Sequence, residues 1–167
     1  IGIWKKDYPN CDVYITPTFA DAVVVAESGA DIIAIDATPR TRPNGEKLKD
    51  IIERIHKELK LPVMADCSTI EEGLEAAKLG ADIVATTMSG YTPYSAATLT
   101  KGPDINMLKT LVAEAGVPVI AEGRFNEPEN VEAALAAGAL AVVVGTALTA
   151  PEWRMKQFTA VTEKFRK

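Results

Sequence analysis

The sequence predicts an α/β protein of the TIM or (β/α)8 barrel class, and three observations lead there. Short apolar runs alternate with helical stretches along the whole chain, which calls for a parallel sheet covered by helices. Glycines stand where four of the helices hand over to the next run, at Gly29, Gly80, Gly116 and Gly138, as C-terminal caps do. No GxGxxG turn follows any run, which separates the pattern from a dinucleotide-binding sheet.

Each element can be justified in order. Strands are predicted at 1–5 (IGIWK), 31–36 (DIIAID), 61–66 (LPVMAD), 82–87 (DIVATT), 117–122 (VPVIAE) and 140–145 (LAVVVG). Helices are predicted at about 18–28, 45–59, 70–79, 104–115 and 128–137, with a last one near 152–166. Ser68 and Thr69, Pro103 with Asp104, and Asn126 with Pro128 supply helix starts. The units also form two interleaved series. "SGADIIAID", "LGADIVATT" and "AGALAVVVG" make one; "LPVMAD" and "VPVIAE", with "IGIWKK" at their head, make the other. Six strand–helix units are visible, whereas a closed barrel holds eight in about 200–250 residues. The expectation is therefore a single barrel domain over 1–167, N-terminally incomplete, with about two units missing. A six-unit open sheet is the alternative.

Composition narrows the function. With 47% hydrophobic residues, the 167-residue chain can bury a core. No run approaches the roughly 20 apolar residues of a membrane span, so no membrane partner is expected. A net charge of −5 with scattered Lys and Arg argues against nucleic acid. Cys11 and Cys67 show no CxxC pairing and read as free thiols of a cytoplasmic protein. The single histidine, His56, falls beside the stripe of Ile51, Ile52, Ile55 and Leu59 and reads as a surface residue. No zinc site is expected.

In a parallel barrel the working residues project from the C-terminal strand ends. Those ends carry Lys5 and Lys6, Asp36, Asp66, Thr86 and Thr87, Glu122, and Gly145 with Thr146. A lysine amid carboxylates on a partly dry rim can carry protons, because burial lowers its pKa. Any one of Lys5, Asp66 and Glu122 could equally be half of a structural salt bridge; polar ends throughout one series favour chemistry. Gly123 and Gly145-Thr146 make small-residue turns after the last two strands, where barrels build phosphate sites. Two loops add candidates: "DATPRTRPNG" (36–45) with Arg40 and Arg42, and the long connection 86–104, which contains Gly90 and Tyr91. A solvated basic loop and a tolerated insertion are their plain readings.

Taken in order, "IGIWKKDYP", "VYITPT", "GADIIAIDATPRTRP", "VMADCST", "TTMSGYT", "VIAEGRF" and "AVVVGTALT" resemble the N-acetylmannosamine-6-phosphate 2-epimerase family, from residue 1 to about 150. The resemblance implies a phosphate-binding (β/α)8 barrel of the ribulose-phosphate-binding type from bacterial sialic acid degradation. It implies an isomerase interconverting N-acetylmannosamine 6-phosphate and N-acetylglucosamine 6-phosphate with no metal or organic cofactor. Matched motif by motif, the catalytic lysine falls on Lys5, the glutamate on Glu122 and the active-site aspartate on Asp66. Gly123, Arg124, Gly145 and Thr146 would hold the 6-phosphate, with Arg40, Gly90 and Tyr91 as further binding positions. One departure stands out: Ala150 occupies the place of a family arginine, and Arg154, one helical turn on, is the candidate replacement. A homodimer is compatible with this class. The alternatives are another phosphosugar barrel lyase or aldolase, and a non-catalytic sugar-phosphate-binding paralogue.

Overall fold

The computed structural model describes residues 1–99 and 102–165. Its centre is a five-stranded, wholly parallel sheet in sequential order: β1 (Ile33–Asp36), β2 (Val63–Asp66), β3 (Ile83–Ala85), β4 (Val119–Glu122) and β5 (Ala141–Val143). Helices α1 (Phe19–Glu27), α2 (Leu48–Arg54), α3 (Ile70–Lys78), α4 (Ile105–Glu114) and α5 (Pro128–Ala136) alternate with the strands. Two further helices, α6 (Thr146–Thr149) and α7 (Pro151–Ala160), follow β5.

Strand side chains alternate between faces. Ile33, Ile35, Val63, Ala65, Val84, Val119 and Ala121 share one buried cluster with Val25, Ile51, Ile52, Leu108 and Leu111 of the helices. The opposite, helix-free face therefore takes Asp36, Asp66 and Glu122, each two residues along from its neighbour on that face. Register sets Asp36 directly beside Asp66, while Glu122, with β3 between, pairs with Val143.

Local chemistry explains the element ends. Thr18 with Asp21 and Thr69 with Glu72 form reciprocal capping boxes on α1 and α3, and Asp104 caps α4 through the Met107 amide. At α5 the cap position is Glu127 without a side-chain bond, so Asn126 is not the cap, although Pro128 opens the helix as expected. The four predicted capping glycines all have positive φ, from 69° to 101°.

Three expectations need correction. Residues 1–5 are not a sheet strand. Ile1 bonds Ile32 and Ala34 along the edge of β1, but Thr16 then takes the Ile3 carbonyl and Ile15 takes the Asp36 amide, so the ladder ends in one Trp4–Ile15 bridge. The helix predicted over 45–59 is a 3-10 turn at Pro43–Gly45, then α2, then a π turn at Ile55–Leu59. The last predicted helix is broken by Pro151 into α6 and α7, with a 3-10 turn at Glu163–Phe165. Position 166 of that prediction lies outside the described residues. Among the described residues no helix is long and apolar enough to cross a membrane. His56 sits at the surface against Asp82, at 2.8 Å, and both cysteines are free thiols.

Leu111 is fully buried where α3 and α4 meet, its side chain close to Gly73. Leu111→Ala should cost about 2–5 kcal/mol of unfolding free energy, read by urea denaturation. A loss below about 1 kcal/mol would show that the helix layer is not packed as described.

Candidate active site

Beyond the C-terminal strand ends lies a cavity of about 490 Å³. Thr87, Glu122, Gly123, Arg124, Gly145 and Thr146 line its polar part. Trp4, Tyr14, Tyr91 and Trp153 supply aromatic wall. The turns after β4 and β5 thus do share one space, as their small residues suggested.

The three strand-end carboxylates meet burial in different ways. Asp36 is fully buried and fully partnered: Thr38 donates from its amide at 3.0 Å and its hydroxyl at 2.6 Å, and Arg40 forms an ion pair at 2.6 Å. Asp66 has no cation bonded to it among the described residues. Burial, reinforced by the charges of Glu122 and Asp36, pushes its pKa up to about 8, although the Thr87 hydroxyl, donating at 2.6 Å, works the other way. Glu122 is half-buried, and desolvation raises its pKa too, again opposed by Thr87. Thr86 fixes the Glu122 backbone, accepting from its amide at 3.0 Å and donating to its carbonyl at 2.8 Å.

Lys5 stands elsewhere. Its ammonium bonds Asp21 at 3.0 Å and Tyr8 at 3.1 Å, and it borders a smaller recess with Lys6 and Cys11 rather than the main cavity. The hydrogen bonds to Tyr8 and then Asp21 raise its pKa, the reverse of the burial-lowered lysine expected from the sequence. Arg40 is held by Asp36 and lies over the Tyr14 ring, and Arg42 is buried on the Asp36 and Pro17 carbonyls, so loop 36–45 is not a solvated basic loop. Arg154 grips Glu127 at 2.7 and 3.1 Å on the exposed side of α7. It is not in the cavity lining; its neighbour Trp153 is.

The turn after β4 is unusual. Gly123 and Arg124 both have positive φ, 103° and 61°. The Arg124 guanidinium reaches across to the long loop, donating to the Gly102 carbonyl at 2.7 Å and the Ser89 carbonyl at 2.5 Å. Its Nη2 is buried with no partner among the described residues. Tyr91 lies 5.6 Å from that guanidinium, and Gly90 has φ 82°, which turns the loop. The loop prediction over 86–104 includes positions 100 and 101, outside the described residues. Among the described residues, no group of three His, Cys, Asp or Glu side chains is arranged to hold a metal ion.

Comparison with known proteins decides the family. The profile described as N-acetylmannosamine-6-phosphate epimerase matches residues 1–164. The chain belongs to the N-acetylmannosamine-6-phosphate epimerase family. A Clostridium perfringens protein named as an N-acetylmannosamine-6-phosphate 2-epimerase is 47% identical over 96% of this chain and 72% of its own length. A protein of the same name from Thermosynechococcus vestitus is 49% identical over 96% of this chain and 68% of its own. The solved structure of the N-acetylmannosamine-6-phosphate 2-epimerase from Clostridium perfringens superposes with a TM-score of 0.90 at 46% identity, over 96% of this chain and 69% of that one.

In this member of the epimerase family the cavity is also lined by residues that strand-end reading passed over. Trp4 and Tyr14, ring centroids 4.8 Å apart, and Trp153 come from segments outside the sheet. Thr87 was visible as a strand end, but nothing in its spacing tied it to Asp66.

Asp66 gives a pH prediction. Its folded pKa, about 8, lies above the ordinary carboxylate value of 3.8. Its carboxyl therefore favours the folded state below pH 3.8, and that contribution declines as pH rises to about 8. Asp66→Asn should remove this decline: urea unfolding at pH 5 and pH 8 should show wild type losing stability relative to the variant. A wild type that gains on the variant with rising pH would reverse the assignment.

Proposed function

We propose that the chain epimerises C2 of N-acetylmannosamine 6-phosphate to give N-acetylglucosamine 6-phosphate, by removing the C2 proton and returning one to the opposite face. The observation that carries this is a cavity where Glu122, its pKa raised by desolvation, stands beside the small-residue turns at Gly123 and Gly145. Proton exchange at a sugar carbon next to a carbonyl needs an acid–base group near neutrality, and a phosphosugar needs an anion cradle. Membership of the epimerase family supplies the substrate.

In the ring-opened sugar the C1 aldehyde acidifies the C2 proton, and Lys5 and Glu122 are the pair that move it. Lys5 serves once it exchanges Asp21 and Tyr8 for the cavity; Glu122 is already there. Asp66, buried behind the cavity lining, positions the lysine or the sugar hydroxyls. Gly123, Arg124, Gly145 and Thr146 take the 6-phosphate, the unpartnered Arg124 Nη2 offering it a donor. Gly90 and Tyr91 shape the wall, and Arg40 acts by fixing Asp36. Arg154 reaches the anion only by giving up Glu127. We place this chemistry in one closed (β/α)8 barrel, of which the five-stranded sheet is an arc, in the cytoplasm, with a homodimer as the assembly. The high overlap with the Clostridium structure supports the arc, and the exposed Leu148, Met155 and Phe158 support an assembly.

Reaction in D₂O should place deuterium at C2 of the product, and unlabelled product would sink the proton-transfer reading. Glu122→Gln should lower kcat by about 10²–10⁴. Lys5→Ala should do likewise; full activity would take Lys5 out of the chemistry.

A further inference from the structure

Strands β3 and β4 pair through Val84 with Val119 and Ala85 with Ile120, so Glu122 lies beyond their last paired residues. Up to that point the parallel ladder runs evenly: the Val84 amide meets the Pro118 carbonyl at 3.1 Å, and the Thr86 amide meets the Ile120 carbonyl at 3.2 Å. Continued by the same two-residue step, it would give the Glu122 amide to the Thr86 carbonyl and the Met88 amide to the Glu122 carbonyl. Both of those partners are engaged elsewhere. The Thr86 carbonyl accepts from the Ser89 amide at 3.1 Å, and the Met88 amide goes to the Cys67 carbonyl at 3.1 Å, where the long loop leaves the sheet. The Thr86 side chain takes both places. Its hydroxyl accepts from the Glu122 amide at 3.0 Å and donates to the Glu122 carbonyl at 2.8 Å, which only a group that is donor and acceptor at once can do.

We propose that Thr86 is a positioning residue for Glu122: its hydroxyl, standing in for two ladder groups, fixes where the strand end delivers that carboxyl into the cavity. Glu122 lines the cavity, whereas Thr86 is 3% exposed and is not among the lining residues, so Thr86 acts through Glu122 and not on a ligand. The division of labour within Thr86 is what lets the rim serve two purposes. Its carbonyl starts the long loop while its hydroxyl keeps hold of the acid, so the chain turns out of the sheet without releasing β4. The turn after Glu122 rests on the same segment: Gly123 has φ 103°, and a Cβ there would come within 3.5 Å of the Thr87 carbonyl oxygen and 3.7 Å of the Thr86 one. A β-branched side chain, stiff about χ1, suits the task, because the hydroxyl must stay aimed at one backbone residue. Precision matters for a group that moves a proton, since a misplacement of about 1 Å can cost roughly 10² in rate.

The part Glu122 plays in the chemistry rests on the function proposed above, but the clamp itself is read in the free protein by amide hydrogen exchange. In wild type the Glu122 amide should exchange within about tenfold of the Thr86 amide; a freely exchanging Glu122 amide overturns the proposal without any variant. Thr86→Val keeps the side-chain shape and removes the hydroxyl. It should speed exchange at Glu122 by about tenfold or more while Val84 stays within about twofold, and Thr86→Ser should hold both near wild type. Protection lost at Val84 as well would mean a general loosening of the sheet and would overturn a local clamp. In the epimerisation assay Thr86→Val should lower kcat on the order of 10²-fold with KM held within about threefold, and Thr86→Ser should keep kcat within about threefold of wild type. A valine variant whose kcat stays within about twofold, one that raises KM instead, or a serine variant that behaves like valine overturns the positioning role. Should wild type show no exchange at C2, the proposed activity fails, and amide exchange still decides whether the hydroxyl holds Glu122.

Discussion

The rim depends on one constraint: parallel pairing in a register that sets Asp36 beside Asp66. Helices occupy one face of the sheet, so acids at these positions have only the other face to enter. Like charges brought together away from water must be compensated, or one of them must stay protonated. The structure uses both solutions. Asp36 takes Arg40 and Thr38, and is thereby a fixed anion. Asp66, against that anion and with no cation bonded to it among the described residues, keeps its proton into the neutral range. The site is built from a disparity in partners between adjacent strands.

The long loop after β3 is held by the same economy of polar contacts. Arg124 adopts a φ that a side chain seldom takes, and its guanidinium joins the Ser89 and Gly102 carbonyls. On the other limb, Glu72 accepts from Ser68 and Thr69 and from the Tyr94 hydroxyl at 2.5 Å, while Thr92 bonds Ser68 at 3.1 Å. Tyr91 is thus carried on a segment tied at both sides, which gives the cavity a fixed wall.

Much of this was legible in the chain. The apolar runs named the five strands, the glycines named the helix ends, and rim position pointed to Asp36, Asp66 and Glu122, because parallel order leaves all C-terminal ends on one side. What the sequence could not show was competition for partners. "IGIWK" has strand composition, yet Ile15 and Thr16 take the hydrogen bonds it would need. Lys5 looked like a lysine among acids, but the acid that holds it is Asp21, a helix-capping residue far from any strand end. Arg40 and Arg154 looked available, and each is committed to a carboxylate. Pattern gives position; partner choice needs three dimensions.

That difference bears on which groups move protons. A group exchanges protons readily near neutrality only if its surroundings bring its pKa there. Burial does this for Asp66 and in the same direction for Glu122, while the Asp21 and Tyr8 contacts drive Lys5 the other way. In the free protein, therefore, the carboxyl rim is the part poised for proton exchange. Lys5 is held out of that rim by Asp21 and Tyr8, with its ammonium form favoured by both.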